Sequence, residues 1–155
     1  MNDRHGDNSK AILAEALNQL LADSYALFLK TKNFHWHVSG PHFREYHLLF
    51  DEHAAEILAT TDLIAERVRK LGQPSLRSIG DIARRQTLSD NDAVKVSAND
   101  MLRELRDDNA ALIGQLKALK DMCEQAADNA TDGLVDDWTD QAEQRVWFLD
   151  QTMGD

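Results

Sequence analysis

The sequence predicts an all-α protein, a four-helix bundle whose second and third helices are joined by one long crossover. Three observations lead there. Only 7 Gly and 2 Pro occur among 155 residues, so few positions are marked for the chain to reverse. Four long stretches repeat apolar residues every three or four positions, which is the helical period. A single stretch, from Gly72 to Val96, lacks that pattern.

A first helix is expected from a Ser9 cap to about Val38, with residues 1–8 a flexible tail and 9–155 one domain. Leu17, Leu21, Ser24, Phe28, Thr31 and His35 form one stripe along it, and Leu13, Leu20 and Leu27 a second row. That arc is wider than one bundle core needs and predicts contact with another subunit. Ser39-Gly40-Pro41 interrupts the pattern, and Pro41 suits the first turn of a second helix. This helix runs to Leu71, before Gly72-Gln73-Pro74, and would be about 46 Å long.

Within the crossover, residues 78–85 (SIGDIARR) predict a short helix. Ser97 with Asp100 resembles a capping pair for the third helix, which carries Leu102, Leu105, Asn109, Leu112, Leu116, Leu119, Cys123 and Ala126 at helical spacing. The fourth helix, from about Asp132 to Met153, carries Val135, Trp138, Ala142, Val146 and Leu149. The two outer connections are short, so helices one and two are antiparallel, as are three and four. Two hairpins joined by a long crossover make the ferritin-like arrangement rather than a simple up-down bundle.

Composition narrows the function. Apolar residues make up 43% and charged residues 28%, an ordinary globular balance. A net charge of −10 repels nucleic acid and attracts cations. The lone Cys123 falls at an apolar helical position and reads as a buried structural thiol, which favours a reducing compartment. There is no apolar run long enough for a signal peptide or membrane span, so a cytoplasmic location is expected.

The chemistry concentrates between His35 and Glu66. His47, Asp51, Asp62 and Glu66 fall within about 100° of one another on the second helix, with Ala55 and Leu58 continuing the face. His47/Asp51 and Asp62/Glu66 each have the i, i+4 spacing that lets side chains converge. His47 and Glu66 nevertheless lie about 28 Å apart along the axis, too far for one metal ion. A second copy resolves this. If two such helices pack antiparallel about a dyad near residues 56 and 57, His47 meets Glu66 of the partner subunit and Asp51 meets Asp62 of the partner subunit. Small Ala54, Ala55 and Ala59 near the dyad permit close approach.

A tight hairpin would bring His35 beside His47, making a set of two imidazoles and three carboxylates. Such mixed nitrogen and oxygen ligation suits Fe(II), Zn or Mn. Read singly, each residue is more often a solvated surface group or a satisfied histidine than a ligand. The equal spacing about one dyad is what distinguishes the set. His5, His37, His42 and His53 do not fit it.

On His35-Trp36, Gly40, Phe43, His47, Asp51, Asp62 and Glu66, the chain resembles the Dps family, small ferritin-like proteins that protect DNA during starvation and peroxide stress. The helical plan extends the likeness over nearly the whole chain, including the short crossover helix. The resemblance implies a hollow dodecamer that oxidises Fe(II), preferably with hydrogen peroxide, and stores the ferric mineral. His35, His47 and Asp51 would come from one subunit, with Asp62 and Glu66 from its partner, and two irons per site are possible. Trp36 would lie beside the site and scavenge oxidising equivalents, or else pack as an aromatic core residue at a helix end. Asp128, Asp132, Asp136 and Asp137 are candidates for lining iron-entry pores, although acids also gather at helix N-termini for dipole reasons. The implied setting is the bacterial cytoplasm, with the nucleoid a possible association.

Several family members bind DNA through a Lys-rich tail. Here MNDRHGDNSK offsets Arg4 and Lys10 with Asp3 and Asp7, and FLDQTMGD is acidic. Arg67, Arg69, Lys70, Arg77, Arg84 and Arg85 form a denser basic group, read as an outer surface with local ion pairs. Weak or absent DNA binding is therefore expected. One alternative is a non-catalytic, DNA-packing architectural protein. Another is a di-iron bundle enzyme with an intrasubunit site, disfavoured because no Glu-x-x-His pair occurs.

Overall fold

In the computed structural model the backbone of residues 4–154 and the side chains of residues 8–154 are described. The elements are α1 (Arg4–His37), α2 (Phe43–Lys70), the short α3 (Ile79–Arg85), α4 (Ala98–Gln125) and α5 (Asn129–Met153). α1 packs against α2, α3 and α4, and α4 against α5. The fold is the expected one, a four-helix bundle with a short helix in its crossover. No helix among the described residues is long and apolar enough to cross a membrane.

Several boundaries differ from the sequence reading. α1 starts at Arg4, so Ser9 lies inside it and residues 4–8 of the expected tail are helical. Extending a formed helix costs little, since each added residue gains a hydrogen bond. The rest of the expected tail, residues 1–3, lies outside the described residues. α2 starts at Phe43, two residues beyond Pro41. Gly40 turns the chain with φ 119°, a conformation suited to glycine, and Phe43 N–H donates to Gly40 O at 3.1 Å. Pro41 therefore sits in the reversing turn. α5 begins at Asn129, capped by Asp128, which accepts from Thr131 N–H.

α2 ends in a Schellman motif: Gly72 has φ 82°, its N–H donates to Arg69 O, and Gln73 N–H donates to Val68 O. α4 ends the same way, with Ala127 (φ 53°) in the position where glycine is usual.

The core follows the predicted stripes. Leu102, Leu105, Asn109, Leu112, Leu116, Leu119 and Cys123 of α4 are buried, and burial pushes the Cys123 thiol up to about 11. On α5 the expected Val146 gives way to Arg145, buried at 3% exposure. Its guanidinium donates to Asn109 Oδ1 at 2.7 Å and to Glu56 Oε1 at 2.8 Å, which makes burial of the charge tolerable.

The wide apolar arc of α1 is used within the chain. Leu13, Leu20 and Leu27 are buried, Leu20 at the bundle centre beside Ile57, Ile64, Leu112 and Leu116, while Leu21 lines the side of α1 that meets the crossover at Leu76 and Ile79. Four polar residues of α1 grip that crossover in chain order. Asn18 bonds Pro74 O and Leu76 N–H, and Asp23 accepts from Thr87 and Leu88 N–H. Lys30 donates to Ser89 O and Asn33 to Asn91 O. The crossover is thereby held along α1, leaving the outer face of α2 uncovered.

Candidate metal centre

The α1–α2 turn is tight enough to stack the imidazoles of His35 and His47, with ring centroids 3.8 Å apart and planes 13° from parallel. His35 Nδ1 lies 2.5 Å from His47 O, and His47 Nδ1 lies 2.7 Å from His35 O. A carbonyl oxygen only accepts, so each Nδ1 carries the proton and donates. In the neutral rings both Nε2 lone pairs are then free. Phe43, one turn ahead on α2, stacks on the other side of His47 at 5.0 Å. This is how a protein orients imidazole for a metal: the far nitrogen is pinned and the near one is presented.

Asp51, one turn after His47, completes this half-site. Its Oδ1 lies 3.7 Å from His35 Nε2 and accepts from Lys32 Nζ at 2.8 Å. The Lys32 hydrogen bond holds the Asp51 carboxyl below its ordinary value, against a smaller opposing effect of burial. Sequence reasoning missed Lys32. The available signal was its position three residues before His35, on the same side of α1.

Asp62 and Glu66 lie roughly one and a half and two and a half turns beyond the midpoint of α2, both exposed. Between the half-sites the helix carries exposed Ala55 and Ala59, with Leu58 at 41% exposure. Among the described residues, no three His, Cys, Asp or Glu side chains of one chain gather closely enough to hold a metal ion. The structure pairs His35 with His47 and sets Asp51 Oδ1 3.7 Å from His35 Nε2, short of a three-ligand group, and leaves Asp62 and Glu66 at the other end of the helix. A groove of about 720 Å³ between α1 and the crossover, lined by Tyr25, Leu29, Leu76 and Ile79, includes none of these five residues.

Trp36 is 57% exposed, so within the chain it is not a core aromatic. The remaining histidines are accounted for otherwise. His37 bonds Asn33, and His42 precedes α2 near Glu45. His53 is buried against α5, where burial and the Arg145 charge lower its pKa to about 4. The side chain of His5 lies outside those described.

The pore candidates are largely engaged. Asp128 caps α5 and meets Arg67 Nη2 at 3.2 Å, and despite burial its Thr131 and Arg67 bonds hold its carboxyl low. Asp132 and Asp136 both pair with Lys120, and Asp137 accepts from Gln141.

A bundle with one gripped crossover and paired imidazoles on an outer helix face defines a class, the ferritin-like proteins. Comparison with known proteins agrees: residues 14–155 match the ferritin-like domain family. An uncharacterized low temperature-induced protein of Nostoc sp. is 35% identical over 92% of this chain and 80% of its own length. The DNA protection during starvation protein of Brevibacillus brevis is 30% identical over 90% of this chain and 93% of its own. Dps from Thermosynechococcus elongatus superposes with a TM-score of 0.93 at 23% identity, covering 97% of this chain and 95% of that one. The chain belongs to the Dps family.

Proposed function

We propose that this protein is an intersubunit ferroxidase and iron store. Fe(II) is its substrate, oxidised by hydrogen peroxide between two subunits, and the ferric product collects inside a hollow homo-oligomer, a dodecamer by family likeness. Two α2 helices pack antiparallel about a dyad near residues 56 and 57. His35, His47 and Asp51 then face Asp62 and Glu66 of the partner subunit, and two equivalent sites form per dimer.

The observation that carries this reading is the reciprocal Nδ1-to-carbonyl lock of His35 and His47. It leaves two Nε2 atoms for a metal at one end of an exposed α2 face whose other end carries Asp62 and Glu66. The donors are imidazole nitrogen and carboxylate oxygen, which suit Fe(II), and the carboxylates favour the more highly charged Fe(III). Two Fe(II) ions each release one electron, and one hydrogen peroxide takes up both with two protons to give two waters. Pairing the electrons avoids hydroxyl radical, so DNA is protected without being bound. Trp36, exposed beside His35, is positioned to quench a stray oxidising equivalent. Asp132, Asp136 and Asp137 are proposed to lie along the iron-entry route, with Asp128 in a capping role. The protein works in the bacterial cytoplasm, whether or not it meets the nucleoid.

The test is anaerobic addition of Fe(II) to metal-free protein, then hydrogen peroxide, following ferric absorbance alongside radical trapping. Rapid ferric formation with little radical is expected. It should be lost in His47→Ala and in Asp62→Ala, and partly regained when the two are co-refolded. Wild-type oxidation no faster than buffer would refute the ferroxidase reading. Activity lost in each mutant and not regained on co-refolding, or retained in either mutant alone, would refute the shared site.

A further inference from the structure

The centre of the bundle contains a second polar feature, unconnected with iron. Ser24 of α1, Thr60 of α2, and Trp138 and Arg145 of α5 line a cavity of about 10 Å³, closed by Leu112 and Leu116 of α4. All four long helices contribute. Trp138 is buried at 3% exposure, and its indole Nε1 has no hydrogen-bond partner in the protein. An indole N–H can only donate, so its partner must be an acceptor.

The neighbours are suited to the far side of such a partner. Ser24 Oγ donates its proton to Leu20 O and Thr60 Oγ1 donates to Ile57 O, each at 2.7 Å. Both hydroxyl oxygens therefore keep lone pairs that can accept. The Arg145 guanidinium is already bonded to Asn109 and Glu56 and is not available as an acceptor. A species that accepts once and donates twice satisfies the group, and the space is at the lower end of the roughly 10–15 Å³ one water requires.

We infer that one ordered water molecule binds at the centre of the bundle, accepting from Trp138 Nε1–H and donating to Ser24 Oγ and Thr60 Oγ1. It joins three helices through three hydrogen bonds, the usual number for a buried water. Anions fit neither the space nor the two hydroxyl acceptors, and a cation would be repelled by Arg145. The water lets the helices keep a large indole in the core without an orphaned donor, at a level of α2 close to residues 56 and 57.

Two measurements test this. The first is a high-resolution crystal structure of the assembled protein, where a single solvent peak within hydrogen-bond distance of Trp138 Nε1, Ser24 Oγ and Thr60 Oγ1 is expected. The second is ultraviolet resonance Raman of the Trp36→Phe, Trp147→Phe double variant, which leaves Trp138 as the only indole and alters exposed side chains alone. Its N–H marker band should lie at the hydrogen-bonded frequency and shift toward the free value in an added Thr60→Val. A free-indole frequency, a hydrogen-bonded band without solvent density, or no shift in Thr60→Val would each overturn the assignment.

Discussion

The Nδ1–H of His35 donates to the carbonyl of His47, and the Nδ1–H of His47 donates to the carbonyl of His35. Two helices are thus tied together by the side chains proposed to receive iron. Because the tie uses one nitrogen of each ring, orientation and ligation are separable by substitution. His47→Phe keeps a ring stacked between Phe43 and His35 but lacks both nitrogens. Its helical circular dichroism should match wild type, while Fe(II) or Co(II) binding weakens about 10–100-fold, the cost typical of losing control of a ligand's orientation, or more. Unchanged affinity by titration calorimetry would remove His47 from the site.

Lys32 donates to Asp51 Oδ1, on the carboxylate proposed to face the metal ion, so the lysine is expected to compete with that ion. In Lys32→Gln the Asp51 carboxyl should return toward its ordinary pKa, which still leaves it ionised near neutral pH. The half-site then has one less positive charge. At about 4 Å in a water-like medium two unit charges interact by about 1 kcal/mol and a unit charge with a divalent ion by about 2 kcal/mol, so Fe(II) should bind up to roughly 30-fold tighter at neutral pH and low salt. The pair is partly exposed, so salt should shrink the difference. Equal or weaker binding in Lys32→Gln would show that Lys32 positions Asp51 rather than competing for it.

The basic group on α2 and the crossover is largely spoken for. Arg67 is held by Asp128 and Thr131, Arg85 by Asp81 and Glu15, and Arg69 donates to Gln73 O. Phosphate would have to displace these acids on a chain of net charge −10. A gel shift with duplex DNA near neutral pH and moderate salt should show no complex. A salt-sensitive complex that persists in His47→Ala would favour an architectural role.

Helical periodicity made the four long helices and most of the core legible, and the tight α1–α2 turn made the His35–His47 pair legible too. What stayed hidden depends on contacts distant in sequence. Asn18, Asp23, Lys30 and Asn33 carry no signal in the sequence because their partners lie more than fifty residues away in the crossover. The wide apolar arc of α1 predicted a subunit contact for the same reason, since the crossover that meets its Leu21 side is distant in sequence. Arg145 displaced Val146 from the expected stripe because Asn109 and Glu56, on two other helices, supply its bonds. Asp62 and Glu66 are proposed from spacing and family resemblance, and only a symmetric partner gives that spacing a meaning.

His53 supplies a pH dependence with a definite sign. It is buried on α2 beside Arg145, and its pKa falls from an ordinary 6.5 to about 4. In that window the unfolded chain binds a proton that the folded chain does not. Stability is therefore fully present above about 6.5, declines as pH falls toward 4, and has no further His53 contribution below that. The shift corresponds to about 3 kcal/mol per chain as an upper figure. In His53→Leu the acid-side fall in Tm between pH 6.5 and 4 should be shallower than in wild type. His37 and His42, both exposed, serve as controls, and His42→Gln should leave the slope unchanged. Parallel Tm curves for wild type and His53→Leu across that range would mean that His53 takes up its proton without unfolding, and would assign the acid sensitivity to the carboxylates.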